Sequence, residues 1–134
     1  MHGRMRRWGA ALVVWILATA AFAGKLEKAF TALGIHDYFK AREYFQSETR
    51  NHPAAAWYGL SVITGRDDNP FYQLDSSYRA ILRSDSAFVL LSVKERGKIA
   101  ELGVDSAAIA AQKKHIHGIA WSRTQASDSI ASYQ

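Results

Sequence analysis

Histidine is the side chain in this sequence with the widest range of chemistry, and none of the five histidines predicts a catalytic or metal site. His2 lies near the start of the chain, and His36 and His52 stand at predicted helix boundaries, where histidine is commonly solvated. His115 and His117 are two residues apart, which separates them by about 200 degrees around a helix. Because a shared metal ion needs histidines on one helical face, we expect no metal site.

Asp67-Asp68-Asn69 is the other group of side chains that could bind a metal, here calcium. It is followed by Pro70-Phe71-Tyr72, where a calcium loop needs alternating oxygen ligands and a distal glutamate. We therefore interpret it as a turn, and Lys113-Lys114 as a solvated basic face. The sequence contains no G-x-S-x-G elbow, P-loop or Rossmann glycine pattern, so we expect no enzyme activity and no cofactor.

The charge of the chain argues against a nucleic-acid partner. The 134 residues include 17 basic and 12 acidic side chains, and Arg4, Arg6 and Arg7 lie together at the start. Without these three arginines, 14 basic side chains remain against 12 acidic ones. Nucleic-acid binding needs several simultaneous phosphate contacts from a basic stripe, which this balance does not provide. The absence of cysteine excludes a disulfide framework.

The first 23 residues have the pattern of a secretory signal peptide. The three arginines precede an uncharged stretch from Trp8 to Phe22, and small residues follow at the cleavage positions. We predict cleavage between Ala23 and Gly24, and export to the periplasm or cell envelope, with membrane contact only during export. An uncleaved membrane anchor is the alternative, although about 15 apolar residues fall short of the roughly 20 that span a bilayer.

Apolar residues after the leader recur at the spacing of a helix. The first helix is predicted to end at Gly34 in a left-handed backbone conformation, and Asp37 is placed to cap the second helix. Pro53 prevents the second helix from continuing. The apolar positions of these two helices are Leu26, Ala29, Phe30, Leu33, Phe39, Ala41, Tyr44 and Phe45.

A third helix is predicted over residues 54–64, and a fourth is expected to use Asp75 as its cap. The apolar positions of the fourth helix are Tyr78, Ile81 and Leu82. The apolar run Phe88-Val89-Leu90-Leu91 fits either a helix or a buried connection. Because no second β-rich run exists to pair with it, we expect an all-α fold.

Two further signals predict helix starts in the last third of the chain. Ser92-Val93-Lys94-Glu95 matches a capping box and opens a short helix that ends at Leu102, with Gly103 as its stop. Val104 and Ile109 have the spacing of a hydrophobic staple, which predicts that an alanine-rich helix follows.

The alanine-rich helix is expected to run to about Ala126, with a new helical start at Ser127-Asp128. The last residues before Gln134 keep helical spacing without a terminating signal. We therefore expect the helical domain of residues 24–134 to continue beyond Gln134. A frayed native C-terminus is the alternative.

The segment from His36 to Pro53 resembles the second helix of a tetratricopeptide repeat (TPR). In that family a small alanine lies where two helices cross, an aromatic follows four residues later, and a proline follows after eight more. Ala41, Phe45 and Pro53 have this spacing. Trp57 and Leu60 resemble the aromatic residue and the leucine, three residues apart, at the start of the next repeat.

The resemblance implies antiparallel helix hairpins stacked as a short TPR-like α-solenoid. It also implies that a peptide or protein partner binds the concave face formed by the first helix of each pair, without catalysis. Tyr58 and Arg66 are the predicted partner contacts. The alternative is that the chain is the N-terminal helical segment of a larger envelope enzyme or envelope-anchoring protein.

Overall fold

The computed structural model describes the backbone of residues 24–132 and the side chains of residues 24–126. The predicted leader of residues 1–23, with its cleavage position at Ala23, lies outside the described residues. All regular secondary structure within the described part of the chain is helical, which confirms the predicted all-α class. The six helices described are α1 (24–34), α2 (Tyr38–Glu48), α3 (Pro53–Thr64), α4 (Leu74–Val89), α5 (Val93–Ala100) and α6 (Ser106–Ser132).

Helix α3 is the centre of the packing. It lies against α4 over most of its length and against α2 on another side, and α6 packs mainly on α4 while also reaching α3. The sequence of α3, PAAAWYGLSVIT, contains no charged residue and consists largely of small or apolar side chains. Such a helix is stable only when other elements cover most of its surface.

Two of the predicted N-caps and the predicted stop at Gly103 are present, and each supplies hydrogen-bond partners to backbone groups at a helix end. Asp37 accepts a hydrogen bond from the backbone N–H of Lys40, and Ser92 and Glu95 form the reciprocal capping box. Gly103, at φ 89°, ends the turn after α5 in a left-handed conformation. The next N–H, that of Val104, donates to the carbonyl of Ile99 at 3.1 Å, as in a Schellman motif.

The backbone conformation at the end of α1 differs from the prediction. The left-handed residue is His36, at φ 61°, two positions further on. The Asp37 N–H donates to the Ala32 carbonyl and the His36 N–H to the Leu33 carbonyl, which is again the Schellman pattern. Helix α1 does end at Gly34, as predicted, but the left-handed conformation predicted for Gly34 was wrong, since His36 adopts it.

Three other helix boundaries also differ from the predictions. Helix α4 begins at Leu74, so Asp75 lies in its first turn rather than at the cap, and α5 ends at Ala100 rather than Leu102. Helix α6 continues through Ser127-Asp128 to Ser132 without a restart. Serine and aspartate favour helix starts but do not break an existing helix as proline does.

Parts of the predicted apolar faces are exposed. Phe39 is 67% exposed because the buried face of α2 consists of Tyr38, Ala41, Phe45 and Glu48. Tyr78 and Leu82 are also exposed, whereas the third predicted position, Ile81, is fully buried. The buried face of α4 consists of Ser77, Ala80, Ile81, Ser84 and Phe88. Phe88 and Val89 are the last two residues of α4, so the apolar run Phe88-Val89-Leu90-Leu91 begins as helix. Leu90 is 86% exposed, so the rest of the run is not a buried connection.

The residues that carry the TPR resemblance lie at close helix contacts. Ala41 and Phe45 are fully buried, Leu60 is buried, and Pro53 is the first residue of α3. Trp57 is half-buried beneath the guanidinium of Arg83 on α4, which lies 4.6 Å from the centre of its ring system.

Phe45 packs directly on the backbone of α3 at Gly59. A Cβ atom at Gly59 would lie 2.2 Å from Cζ of Phe45, a separation that two carbon atoms cannot adopt. The ring of Phe30 on α1 contacts Phe45 edge to face, with ring centroids 4.9 Å apart. Because Gly59 has no side chain, Phe45 of α2 packs on α3 and also contacts Phe30 of α1, so three helices meet at this ring.

Buried serines join α3 to α4. The Ser61 hydroxyl donates to the Ser77 carbonyl at 2.9 Å, and the Ser77 hydroxyl donates to the Ser61 carbonyl at 2.6 Å. Two helical turns away, the Ser84 hydroxyl donates to the Ala54 carbonyl at 2.6 Å. These pairings fix the antiparallel register of the two helices.

Helix α6 closes over this contact. The side-chain amide of Gln112 donates to the Ser61 hydroxyl at 3.2 Å, and Lys113 forms an ion pair with Asp85 of α4 at 2.7 Å. Near the end of α3, a Cβ atom at Gly65 would lie 2.6 Å from Cδ1 of Ile116. Gly65, directly after α3, therefore leaves room for the Ile116 side chain of α6 at this end of the helix.

Gly59→Ala is expected to destabilise the protein by about 1 to 3 kcal/mol, because the added methyl overpacks the Phe45 ring. The matched control is Gly97→Ala in α5, where a Cβ atom meets nothing within 4 Å. The control is expected to stabilise the protein by about 0.5 to 1 kcal/mol, the usual gain over glycine inside a helix. Urea unfolding followed by circular dichroism measures both, and equal effects would contradict the close contact at Gly59.

Ser77→Ala is expected to be less stable than Ser86→Ala by about 1 kcal/mol, the net contribution of one intramolecular hydrogen bond. Both serines lie on α4, but Ser77 is buried against α3 and Ser86 is exposed. The gain in helix propensity is the same at both positions and cancels in the difference. Two unfolding curves with the same midpoint would show that the serine contact adds no stability.

Candidate functional site

A groove of about 520 Å³ lies between α1, α3 and α5, which are the first helices of the three hairpins that the TPR resemblance predicts. Helix α1 contributes Leu26 and Glu27, and the start of α3 contributes residues 53–55. The remaining lining residues come from the connections and from the region of α5: Asn51, His52, Leu91, Glu95, Lys98, Ile99, Glu101 and Leu102. We call this feature the first-helix groove.

The floor of the first-helix groove is apolar. Leu26, Ala54, Ala55 and Ile99 are buried residues of the hydrophobic core that also line the groove. Small alanines at the start of α3 leave the space that larger side chains would fill. The groove is therefore a gap in the packing of the core that opens to solvent.

The rim of the groove carries most of its charge. Glu27, Glu95 and Glu101 are exposed carboxylates, and Lys98 is the only lysine or arginine among the lining residues. Glu95 is held in place because its carboxylate accepts a hydrogen bond from the Ser92 N–H at 3.2 Å. The rim is thus net acidic.

The buried carboxylate of Glu48 contacts His52, which lines the groove. Glu48, the last residue of α2, lies 3.6 Å from Nε2 of His52 and 3.9 Å from Nζ of Lys25. Glu48 is buried, whereas the Lys25 side chain is largely exposed. These contacts connect α2 to the start of α1 and to the start of α3, where the groove begins.

A polar cluster lies around Tyr38, where the connection before α2 meets the one after α3. The Tyr38 hydroxyl donates to Asp68 at 2.7 Å and lies 2.9 Å from Nδ1 of His36. Nη1 of Arg66 lies 3.5 Å from the same hydroxyl. We call His36, Tyr38, Arg66 and Asp68 the Tyr38 cluster.

The contacts of the Tyr38 cluster lower the pKa of Asp68 and raise the pKa of Tyr38. The hydrogen bond from the Tyr38 hydroxyl lowers the pKa of the exposed Asp68 carboxyl. Burial raises the pKa of Tyr38, and the bond to Asp68 raises it further, since a neutral hydroxyl is the better donor to a carboxylate. The cluster therefore joins two connections by one charge-assisted hydrogen bond.

The two predicted partner contacts do not line the first-helix groove. Tyr58 is half-buried on α3, with its ring centroid 6.5 Å from that of Phe30, and Arg66 belongs to the Tyr38 cluster. Burial raises the pKa of Tyr58, and repulsion from Asp105 adds to this effect, whereas Arg66 lowers it. The two residues are close enough to interact electrostatically, but their role as partner contacts stays a prediction.

The rim residues were not predicted because their sequence signals are weak. Glu27, Lys98 and Glu101 are ordinary charged residues on exposed helical faces, a pattern that usually indicates solvation. Their common position follows only from the way that α1, α3 and α5 meet. Pro53 was the one useful signal, since it places the start of α3 beside the groove.

The described residues can be compared with what a metal site and a membrane-spanning helix require. Within this part of the chain, no three histidine, aspartate or glutamate side chains converge to hold a metal ion. His115 and His117 are both exposed on α6. No helix among the described residues has the length and apolarity needed to cross a membrane.

The chain matches no protein-family model, no curated protein and no solved structure.

Asp68→Asn is expected to remove part of the acid sensitivity of folding. Because the pKa of Asp68 is lowered in the folded protein, its contribution is present above the ordinary value of 3.8 and is lost as the pH falls through the lower, folded value. The free energy of unfolding, measured in urea between neutral pH and acid, should therefore fall less steeply in the variant.

The matched control for this experiment is Asp67→Asn, which removes an adjacent exposed carboxylate outside the Tyr38 cluster. The control should retain the acid dependence of the original protein. An identical pH dependence in the original protein and the Asp68 variant would show that the Tyr38 hydrogen bond does not stabilise the fold.

Proposed function

We propose that the chain is an exported, non-catalytic scaffold of the cell envelope that binds a peptide or protein in the first-helix groove. Its helices form a short TPR-like α-solenoid in which α1 and α2, α3 and α4, and α5 and α6 are the successive pairs in chain order. Of these, α3 and α4 pack extensively on each other, whereas α5 and α6 have little direct contact and α6 packs on α4. The leader of residues 1–23 directs export and is removed before Gly24. The partner is held by surface complementarity, without any covalent chemistry.

The observation that carries this proposal is the position of the groove. A TPR-like array is expected to bind partners on the face formed by the first helix of each pair, and the groove lies between α1, α3 and α5. Its volume of about 520 Å³ lies within the range of roughly 300 to 1,000 Å³ typical of binding pockets. An apolar floor with a charged rim is also the usual anatomy of a protein interface.

The exposed end of α6 favours the second candidate function, an N-terminal segment of a larger envelope enzyme or anchoring protein. Trp121 is 61% exposed, and residues 120–126 are all exposed. A further helical unit or another domain would cover this surface, as neighbouring repeats cover each other in a solenoid.

The scaffold proposal is tested by placing a photo-crosslinking amino acid at Asn51, on the rim of the groove, in the full chain expressed with a C-terminal tag. The exported product should begin at Gly24 by mass spectrometry. A defined adduct in the envelope fraction is expected at Asn51. The matched control position is Ser86, which is exposed on α4 and lies outside the groove.

Equal adducts at Asn51 and Ser86, or none at either, would contradict binding in the groove. A product that retains residues 1–23 would favour the uncleaved anchor. Reading the coding region past Gln134 distinguishes the second candidate, because a catalytic motif there would assign the activity to another domain.

A further inference from the structure

The charges around the first-helix groove differ in sign from the chain as a whole. After the leader, 14 basic side chains stand against 12 acidic ones, yet the groove is lined by three glutamates and one lysine. The glutamates come from two different helical regions, with Glu27 on α1 and Glu95 and Glu101 at the two ends of α5. Negative charge therefore flanks the groove on more than one side.

The apolar floor and these carboxylates line the same groove. Leu26 is the sequence neighbour of Glu27, and Ile99 and Leu102 lie within three residues of Glu101. Lysine and arginine side chains pack their methylene stems on apolar surfaces while the charged end stays in water. A floor of this kind beneath acidic side chains fits such a residue, or an apolar residue next to one.

Asn51 adds a polar group on the rim beside Pro53. Its exposed side-chain amide offers two donors and one acceptor oxygen, which matches the N–H and C=O groups of a peptide backbone. A peptide backbone can therefore form hydrogen bonds at this part of the rim.

We propose that the occupant of the first-helix groove is a partner peptide in which basic side chains alternate with large apolar ones. The apolar side chains lie on the floor at Leu26 and Ile99, and the basic side chains pair with Glu27 and Glu101. This inference rests on the proposed function, and it names the class of peptide that the groove selects.

The test measures fluorescence anisotropy of three labelled probes with the exported form of the full chain. The probes are short peptides of alternating leucine and lysine, leucine and glutamate, and serine and lysine. The leucine-lysine probe should bind about tenfold more tightly than either of the others, because each lacks one of the two required interactions. Added salt should weaken its binding.

Glu27→Gln and Glu101→Gln locate the binding site. Each should weaken binding of the leucine-lysine probe by about threefold, the size expected for an exposed ion pair. Glu43→Gln removes an exposed carboxylate on α2 outside the groove and should leave the affinity unchanged. Far-ultraviolet circular dichroism checks that all three variants keep the helical fold.

The outcomes separate this inference from the proposed function. Equal binding of the leucine-lysine and leucine-glutamate probes overturns the acidic preference but leaves peptide binding intact. Equal binding of the serine-lysine probe shows that charge acts without the apolar floor, which also overturns the inference. A loss in Glu43→Gln equal to that in Glu101→Gln places binding outside the groove. Failure of all three probes, together with no crosslink at Asn51, overturns the proposed function itself.

Discussion

The close approach of α3 to α4, held by two serines that each donate to the other's carbonyl, is the contact on which the rest of the structure depends. Ser61 and Ser77 can meet in this way only because neither carries a larger side chain. Once the hydroxyls reach backbone carbonyls, no buried polar group in the contact is left unpaired. Helix α6 also reaches this contact, where the side-chain amide of Gln112 donates a hydrogen bond to the Ser61 hydroxyl.

The two ends of α3 belong to two different surface features. Its first residues, Pro53 and Ala54, line the first-helix groove, whereas the chain just after its last residue enters the Tyr38 cluster. A helix of 12 residues separates these surfaces by about 18 Å. A change in how α3 sits against α4 would therefore move both surfaces together, because one rigid helix connects them.

Much of the fold could be predicted because its local signals involve few residues. Asp37 and the Ser92 capping box act over three residues, and Ala41 and Phe45 occupy buried positions on one helical face. Predictions failed where distant packing decides. His36 rather than Gly34 is left-handed, and Phe39 is exposed, because partners elsewhere in the chain select which face is buried. The groove depends on three helices meeting and has no local signature.

Helix α6 is much longer than the helix on which it packs. Its 27 residues extend about 40 Å, whereas the 16 residues of α4 extend about 24 Å. Around Gln112 and Ile116 the helix is anchored to α3, and Arg123 still reaches the Tyr72 hydroxyl, but the side chains of residues 124–126 are exposed. Amide protection against hydrogen exchange should therefore decline along a single unbroken helix. Near Gln112 exchange requires the bundle to open, whereas at residues 124–126, where the side chains are exposed, local opening of the helix is enough.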